Sequence, residues 1–400
     1  MSSYPLKTLT DVKNPAYISF LDMVRWIAAT IVCVGHVRNP IFFGYKSLVA
    51  SDKNPLIILW YFVTGWYGEA VIVFFVLSGY LVGGMGLAKL KAKTLNLGHY
   101  AIDRVTRLYL AFFPALLLTV ILDYFGMKFF GEAGLYSFEQ AMFAEKLSGL
   151  NFETMATLPN FFGNAFMLQN FLVESYGSNQ PLWTISAEFW FYCFFGLTIG
   201  LMLVSSRKRK IGILLLLLAI TIGLGLSFPY LLGMWCIGII VSYIDCKKLE
   251  KPILSIGLFF AVLLCLRLYS SELLELQLGR FIRDYSVATS FAYMMFSMRS
   301  TKFKILILTA KFNKFMASFS FSLYLIHFPV MVFVLSVLYT QYEFSGIKTG
   351  YSPVDGEGLL IYGVVLVVTY LIAFLFSRVT EEKTWKVRQY LKSKLPRSQA

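Results

Sequence analysis

The first apolar segment of the chain carries three ionisable side chains, Asp22, Arg25 and His36. A charged group inside an apolar helix is costly, so it marks a candidate functional site. Asp22 and Arg25 are three residues apart, which is the spacing of a helical ion pair. His36 follows Arg25 by 11 residues, which at about 100° per residue is three turns plus about 20°. The three side chains are therefore predicted to share one helix face.

Along that face, Arg25 and His36 are separated by about 16 Å at the helical rise per residue. The shared face suits an elongated ligand that reaches from one end of the helix toward the other. The alternative is that Asp22 and Arg25 form a structural ion pair and that His36 is a histidine satisfied at a helix interface.

Two arginines, Arg104 and Arg107, precede the third apolar segment and are spaced i,i+3, so a helix places them on one face. Guanidinium groups offer fork-like donors to anions, and this pair is a candidate phosphate clamp. The alternative is anchoring of the helix end by lipid headgroups.

Glu188 lies near the start of the fourth apolar segment, in residues 182–192 (LWTISAEFWFY). The order of the segments predicts that Glu188 and His36 lie at similar depth. A carboxylate beside a histidine can hold its tautomer and stabilise the imidazolium, as in hydrolase triads. The alternative is an interfacial glutamate in an aromatic belt.

His327 is predicted to lie mid-span in the ninth apolar segment, two residues before Pro329, whose ring frees a backbone carbonyl. The preferred interpretation is a histidine bonded to that distorted backbone, and contact with an acceptor substrate is the alternative. Small residues at Ser78, Gly79 and Gly83 predict close helix packing rather than a ligand contact. No metal site is predicted, because the three histidines lie in distant segments without HExxH spacing.

The elements that position these residues follow from composition. The 400-residue chain is 58% hydrophobic and 14% charged, against about 25% charged in ordinary soluble domains. This excludes a soluble enzyme, a disordered chain and a nucleic-acid module, and it predicts an all-α integral membrane protein. About ten transmembrane helices are predicted, near residues 17–37, 57–85, 108–125, 184–204, 211–227, 229–244, 252–268, 284–299, 317–340 and 358–377.

The distribution of basic residues predicts the orientation. With alternating spans and a cytoplasmic N-terminus, the inner segments hold 26 of the 36 Lys and Arg residues and the outer segments hold nine. Because cytoplasmic loops are enriched in these residues, both termini are predicted to be cytoplasmic. We expect one domain over residues 1–378, with an outer interfacial segment at about 126–183, and a basic cytoplasmic tail over 379–400.

Five motifs, in this order, resemble the acyltransferase-3 family of membrane proteins. They are residues 21–25 (LDMVR) leading to His36, 74–81 (FFVLSGYL), 104–109 (RVTRLY), 182–192 and 322–329 (SLYLIHFP). One departure concerns the end of the last span, where the family often has a Glu-Arg-Pro-Phe-like run and this chain reads VTEEKTW over 379–385. The resemblance therefore assigns no role to Glu381. The chain resembles the stand-alone form of this family.

The resemblance implies an O-acyltransferase that moves an acyl group, most often acetyl, from cytoplasmic acyl-CoA to a hydroxyl of a cell-surface sugar or lipid-linked glycan. Acyl-CoA is then a substrate, and no permanently bound cofactor is expected. The expected partners are this donor, the carbohydrate acceptor and membrane lipids, without nucleic acid, and the oligomeric state is open. The predicted location is the plasma membrane, as a multi-pass protein of the bacterial inner membrane.

In that chemistry His36 is the expected base and Glu188 its orienting carboxylate, since histidine titrates near neutral pH. Arg104 and Arg107, with Arg25 as a third candidate, are expected to hold the donor phosphates, and the pantetheine arm would follow the Asp22–Arg25–His36 face. The Trp183 N–H or a serine hydroxyl such as that of Ser186 is expected to stabilise the oxyanion. The remaining substrate-binding candidates are Tyr324 and His327.

A transporter or flippase for a glycan or lipid-linked intermediate is the alternative function, because it would also place charged residues within spans. Such proteins often have two related halves with matching broken helices, and the sequence has no such repeat. Release of thiol from acetyl-CoA discriminates between the two functions.

Overall fold

The structure is a computed structural model that describes residues 14–136, 155–268 and 277–394. The described residues are predominantly helical, with isolated β-bridges as the only extended pairing among them. In chain order the helices are α1 Pro15–Ile41, α2 Pro55–Thr64, α3 Tyr67–Ser78, α4 Met85–Lys91, α5 Leu97–Phe130, α6 Leu158–Ala165, α7 Trp183–Leu203, α8 Arg207–Gly223, α9 Ser227–Tyr243, α10 Pro252–Leu268, α11 Gln277–Ser297, α12 Lys304–Leu308, α13 Ala310–Ser318, α14 Ser320–Tyr342, α15 Gly346–Thr349, α16 Gly356–Val379 and α17 Thr384–Lys394. A π-helical segment, Gly79–Gly84, joins α3 to α4.

Within the described ranges, six helical stretches are long and apolar enough to cross a membrane: Pro15–Ile41, Pro55–Lys91, Leu97–Ala133, Gln180–Leu203, Ser320–Tyr342 and Gly356–Lys394. The pair α8 and α9, bent by 112°, brings the number to seven if it counts as one broken span. All ten predicted segments lie in helical stretches, which confirms the all-α class. Segments 211–227 and 229–244 form the bent pair, and 252–268 is the shorter apolar helix α10. Ten crossings and cytoplasmic termini stay predictions.

The chain divides into two compact units, each assembled from separate stretches. The first contains Met1–Ala28, Glu69–Ala101 and Trp190–Ala317, and the second contains Ala29–Gly68, Ile102–Phe189 and Ser318–Ala400. The sequence predicts one domain followed by a separate tail. That division stays a prediction, and the described part of the tail is grouped with the second unit and contains helix α17.

In the first unit, the π-helical segment packs closely against α9. A Cβ atom at Gly79 would overlap the backbone carbonyl of Trp235, and one at Gly83 would lie 2.5 Å from Cγ1 of Ile239. The Trp235 indole donates to Ser78 Oγ at 3.2 Å. Packing, as the small residues predict, is therefore confirmed.

In the second unit, hydrogen bonds hold the end of α1 to its neighbours. Arg38 donates to Thr64 Oγ1 of α2 at 2.8 Å. Two tyrosines of α16 also contact α1. The hydroxyls of Tyr370 and Thr30 lie 2.6 Å apart, and the Tyr362 hydroxyl donates to the Val34 carbonyl at 3.1 Å. These contacts fix the part of α1 that carries His36.

The predicted interfacial segment at 126–183 is partly described, since residues 137–154 lie outside the described ranges. Helix α5 runs to Phe130, beyond the predicted span end at 125. Helix α6 exposes Leu158 and Phe162, as an interfacial helix would. Residues 175–179 of the following loop are buried. There the Asp123 carboxylate of α5 accepts from Ser178 N at 2.8 Å and from its Oγ at 2.6 Å.

Candidate functional site

Two histidines that are 291 residues apart in the sequence meet in the second unit. His36 Nδ1 of α1 lies 2.8 Å from His327 Nε2 of α14, and the two rings stack with centroids 5.1 Å apart at 14°. His327 is fully buried, whereas His36 is half-buried. The pair therefore joins a buried imidazole to a more accessible one.

The surroundings of His327 fix the protons of this pair. His327 Nδ1 lies 2.8 Å from the Tyr324 carbonyl and 3.2 Å from the Leu323 carbonyl. A carbonyl oxygen only accepts, so Nδ1 carries a proton and donates. In a neutral His327, Nε2 then accepts from His36 Nδ1–H. The neutral pair therefore leaves Nε2 of His36 without a proton, as a base requires.

Aromatic rings and one glycine shape the environment of His36. The rings of Tyr67 and Phe328 lie 5.2 Å and 5.5 Å from the His36 ring, measured between centroids. A Cβ atom at Gly35 would lie 2.6 Å from the Thr64 carbonyl oxygen and 2.9 Å from Cδ1 of Tyr67. Gly35 therefore permits the close approach that brings Tyr67 to His36.

His327 is hydrogen-bonded to the helix backbone, as the preferred interpretation has it, but not to the carbonyl that Pro329 frees. Pro329 removes the hydrogen bond to the carbonyl four residues earlier, which is that of Leu325. That carbonyl accepts from Nδ2 of Asn179 at 2.9 Å, while His327 bonds to Tyr324 and Leu323. His327 also lies about one third of the way along α14, not in its middle. The sequence pattern misplaces it because the predicted span begins at 317, where α13 still continues to Ser318.

Three predicted site residues lie at the start of α7 or against it. Ser186 is fully buried and its hydroxyl donates to the Met167 carbonyl at 2.5 Å. Tyr324 is buried, and its hydroxyl lies 2.7 Å from Thr184 Oγ1. Trp183 is half-buried. Ser186 and Tyr324 therefore tie the loop before α7 and helix α14 into the unit.

Glu188 lies on α7, one turn after Thr184, and is half-buried. Its carboxylate is close enough to act electrostatically on the Tyr324 hydroxyl, three residues before His327. The predicted pairing of Glu188 with His36 stays a prediction.

The two-arginine motif lies beside the start of α14. Arg107 Nη1 donates to Glu381 Oε2 at 3.2 Å, and Oε1 of Glu381 accepts from Ser322 N at 2.8 Å and from Ser322 Oγ at 2.7 Å. A carboxylate is favourable there, because the first N–H groups of a helix have no partner within the helix. Glu381 therefore connects Arg107 to the first turn of the helix that carries His327.

Helix α17 docks beside the same motif. Arg388 Nε and Lys392 Nζ lie 3.1 Å and 2.7 Å from the same oxygen of Asp103, Oδ1. Arg388 also interacts electrostatically with Arg104 and Arg107, with repulsive sign. Within the described part of the second unit, four cationic side chains thus lie near two carboxylates.

The predicted ion pair of Asp22 and Arg25 is confirmed in the first unit, with Oδ1 and Nη1 3.7 Å apart. Both side chains are partly exposed, and Lys314 also acts electrostatically on Asp22. His36 lies further along the same helix but is grouped with the second unit. Across residues 14–136, 155–268 and 277–394, no cluster of metal-binding side chains is found.

Sequence reasoning missed three features of this site. The pairing of His36 with His327 leaves no trace in local spacing. The role of Glu381 was hidden because the run around it departs from the family pattern. The docking of α17 had a signal, since Arg388 and Lys392 are spaced i,i+4 and so share one face.

Comparison with known proteins gives one match. A family model of the acyltransferase-3 type, described as an acyltransferase domain, matches residues 18–378. This stretch covers nearly the whole chain and contains all the predicted site residues, whereas Glu381 and α17 follow its end. Neither the curated proteins nor the solved structures gave a match.

Proposed function

The chain belongs to the acyltransferase-3 family, and from this premise we propose that it transfers an acetyl group from cytoplasmic acyl-CoA to a hydroxyl group of an extracytoplasmic sugar. The observation that carries the proposal is the contact of His36 Nδ1 with His327 Nε2 at 2.8 Å. The tautomer that follows from it puts a lone pair on His36 Nε2, and a neutral imidazole nitrogen is the group that takes a proton from an attacking hydroxyl.

In the proposed reaction, His36 Nε2 accepts the hydroxyl proton while the acceptor oxygen attacks the thioester carbonyl carbon. The resulting oxyanion collapses, the carbon–sulfur bond breaks, and His36 returns the proton to the leaving thiolate. The products are an ester and free CoA thiol, so no proton is gained or lost overall. His327 positions His36, and Glu188 is proposed to stabilise its protonated form.

The oxyanion needs a hydrogen-bond donor. Ser186 is a poor candidate because its hydroxyl hydrogen is directed to the Met167 carbonyl. Trp183, which is half-buried at the first residue of α7, is the remaining candidate, with its indole N–H as the donor group.

Donor binding is assigned to Arg104 and Arg107. Glu381 bonds both to Arg107 and to Ser322, and Ser322 precedes His327 by five residues, about 7.5 Å along a helix axis. This supports binding of donor phosphates near the first turn of α14 with the thioester directed toward the histidines. Arg25, which pairs with Asp22, stays a predicted third donor contact.

The test is thiol release from acetyl-CoA by the purified protein, with and without a glycolipid extract from the strain that produces it. The proposal predicts release that the extract accelerates, and a product sugar heavier by one acetyl group in mass spectrometry. A transporter or flippase would move the glycan across vesicles without releasing thiol, and that result would contradict the proposal.

A further inference from the structure

Helix α17 places two cations on one carboxylate oxygen. Arg388 and Lys392 both lie within 3.1 Å of Asp103 Oδ1. One cation would be enough to neutralise Asp103 and hold the helix in place. The second is therefore in excess of what docking requires.

The excess grows when the neighbouring groups are included. Arg107 pairs with Glu381, and Arg104 and Arg107 both repel Arg388. Among the residues that the structure describes, four cations thus lie beside the two carboxylates of Asp103 and Glu381. The side chains of Arg107, Arg388 and Lys392 are only 30%, 25% and 24% exposed, so water screens them incompletely.

Such a gathering of like charge is unfavourable unless an anion balances it. Arginine forks and lysine ammonium groups are the donors that proteins use for phosphate groups. A ligand with several phosphates on one end matches a cluster with more than one cation in excess. Helix α17 supplies half of the cations, although it lies beyond the stretch that the family model matches.

We propose that Arg388 and Lys392 of α17, together with Arg104 and Arg107, form one binding site for a ligand that carries clustered phosphate groups. Asp103 holds the two α17 cations in position beside the arginine pair. Where the ligand is the acyl-CoA donor, the inference rests on the proposed function; anionic lipid headgroups offer the same chemistry. Helix α17 is then a part of the binding site and not merely a basic surface.

The test measures binding to the full-length protein in a neutral detergent, with CoA and dephospho-CoA as the nucleotide probes. Phosphatidylglycerol and phosphatidylcholine vesicles are the lipid probes. The double variant R388A/K392A is compared with K386A/K394A, which removes the same charge from exposed positions of the same helix. Because R388A/K392A loses charge-assisted contacts, it is expected to bind CoA roughly tenfold to hundredfold more weakly. Its CoA binding should also depend less steeply on salt concentration. K386A/K394A is expected to bind CoA with little change.

A second variant, D103N, keeps the proposal testable if R388A/K392A does not fold. It keeps all four cations and leaves an amide oxygen that can still accept hydrogen bonds from Arg388 and Lys392. Helix α17 therefore stays docked while one negative charge is removed, and CoA is expected to bind a few-fold more tightly. Equal losses in R388A/K392A and K386A/K394A, or weaker binding by D103N, would overturn the proposal.

The probes separate the two sources of phosphate. Weaker CoA binding in detergent assigns the site to the nucleotide. Unchanged CoA binding with a lost preference for phosphatidylglycerol vesicles assigns it to lipid and rejects the donor. Wild-type protein that binds phosphatidylglycerol but neither binds CoA nor releases thiol would refute the proposed function while leaving the phosphate site standing.

Discussion

Replacement of His327 tests the proton arrangement of the histidine pair. Its two ring nitrogens have separate tasks: Nδ1 donates to the Tyr324 carbonyl and Nε2 accepts from His36. The matched variants His327→Asn and His327→Gln separate these tasks. Asparagine can keep the bond near the Nδ1 position, whereas glutamine can place an amide oxygen near the Nε2 position and keep the acceptor for His36.

The expected loss in kcat follows from the free energy of one hydrogen bond. A hydrogen bond contributes about 0.5–1.5 kcal/mol net, which corresponds to about twofold to twelvefold in rate when it sets the tautomer and orientation of the base. His327→Asn should therefore lower kcat by about this factor, and His327→Gln by less. Removal of the base itself by His36→Ala should cost about a hundredfold to ten-thousandfold.

The assay is acetyl-CoA turnover under saturating acceptor extract, with kcat and donor KM determined separately. Since His327 is assigned no donor contact, donor KM should stay unchanged in both variants. A loss in His327→Asn as large as that in His36→Ala would refute the orienting role, because His327 would then take part in the chemistry. Equal kcat for the wild type, His327→Asn and His327→Gln would refute the tautomer argument.

Three further predictions concern the support of the site. Gly35→Ala forces a methyl group to within 2.6 Å of the Thr64 carbonyl oxygen, so it should destabilise the protein by about 1–3 kcal/mol in detergent unfolding; an unchanged midpoint would show that the helices do not approach this closely. Arg104→Ala should raise donor KM about tenfold or more with little change in kcat, and an unchanged donor KM would favour lipid anchoring. Glu381→Ala should lower stability more than Glu381→Gln, because only glutamine retains an acceptor for the first turn of α14; equal effects would mean that Glu381 acts through its charge alone.

The helices and many of the candidate residues could be predicted from the sequence, because hydrophobic segments and i,i+3 spacing are local. The ion pair of Asp22 and Arg25 is an example, since both partners lie within one helical turn. Arg104 and Arg107 were identified for the same reason.

The assembly of the site was not predictable in the same way. The contact of His36 with His327 depends on the packing of two distant helices, so no local pattern encodes it. Pro329 likewise gives no indication that Asn179, from a distant loop, donates to the carbonyl that the proline ring frees. The number of membrane crossings also depends on bends such as the one between α8 and α9, which composition does not reveal.

A single-turnover measurement of acetyl transfer by His36→Ala tests the role of His36 as the base, with His99→Ala as the matched control at an exposed histidine. We expect His36→Ala to bind CoA like the wild type but to transfer acetyl at least about a hundredfold more slowly, and His99→Ala to transfer at the normal rate. Transfer by His36→Ala at the wild-type rate would contradict the assignment of His36 as the base.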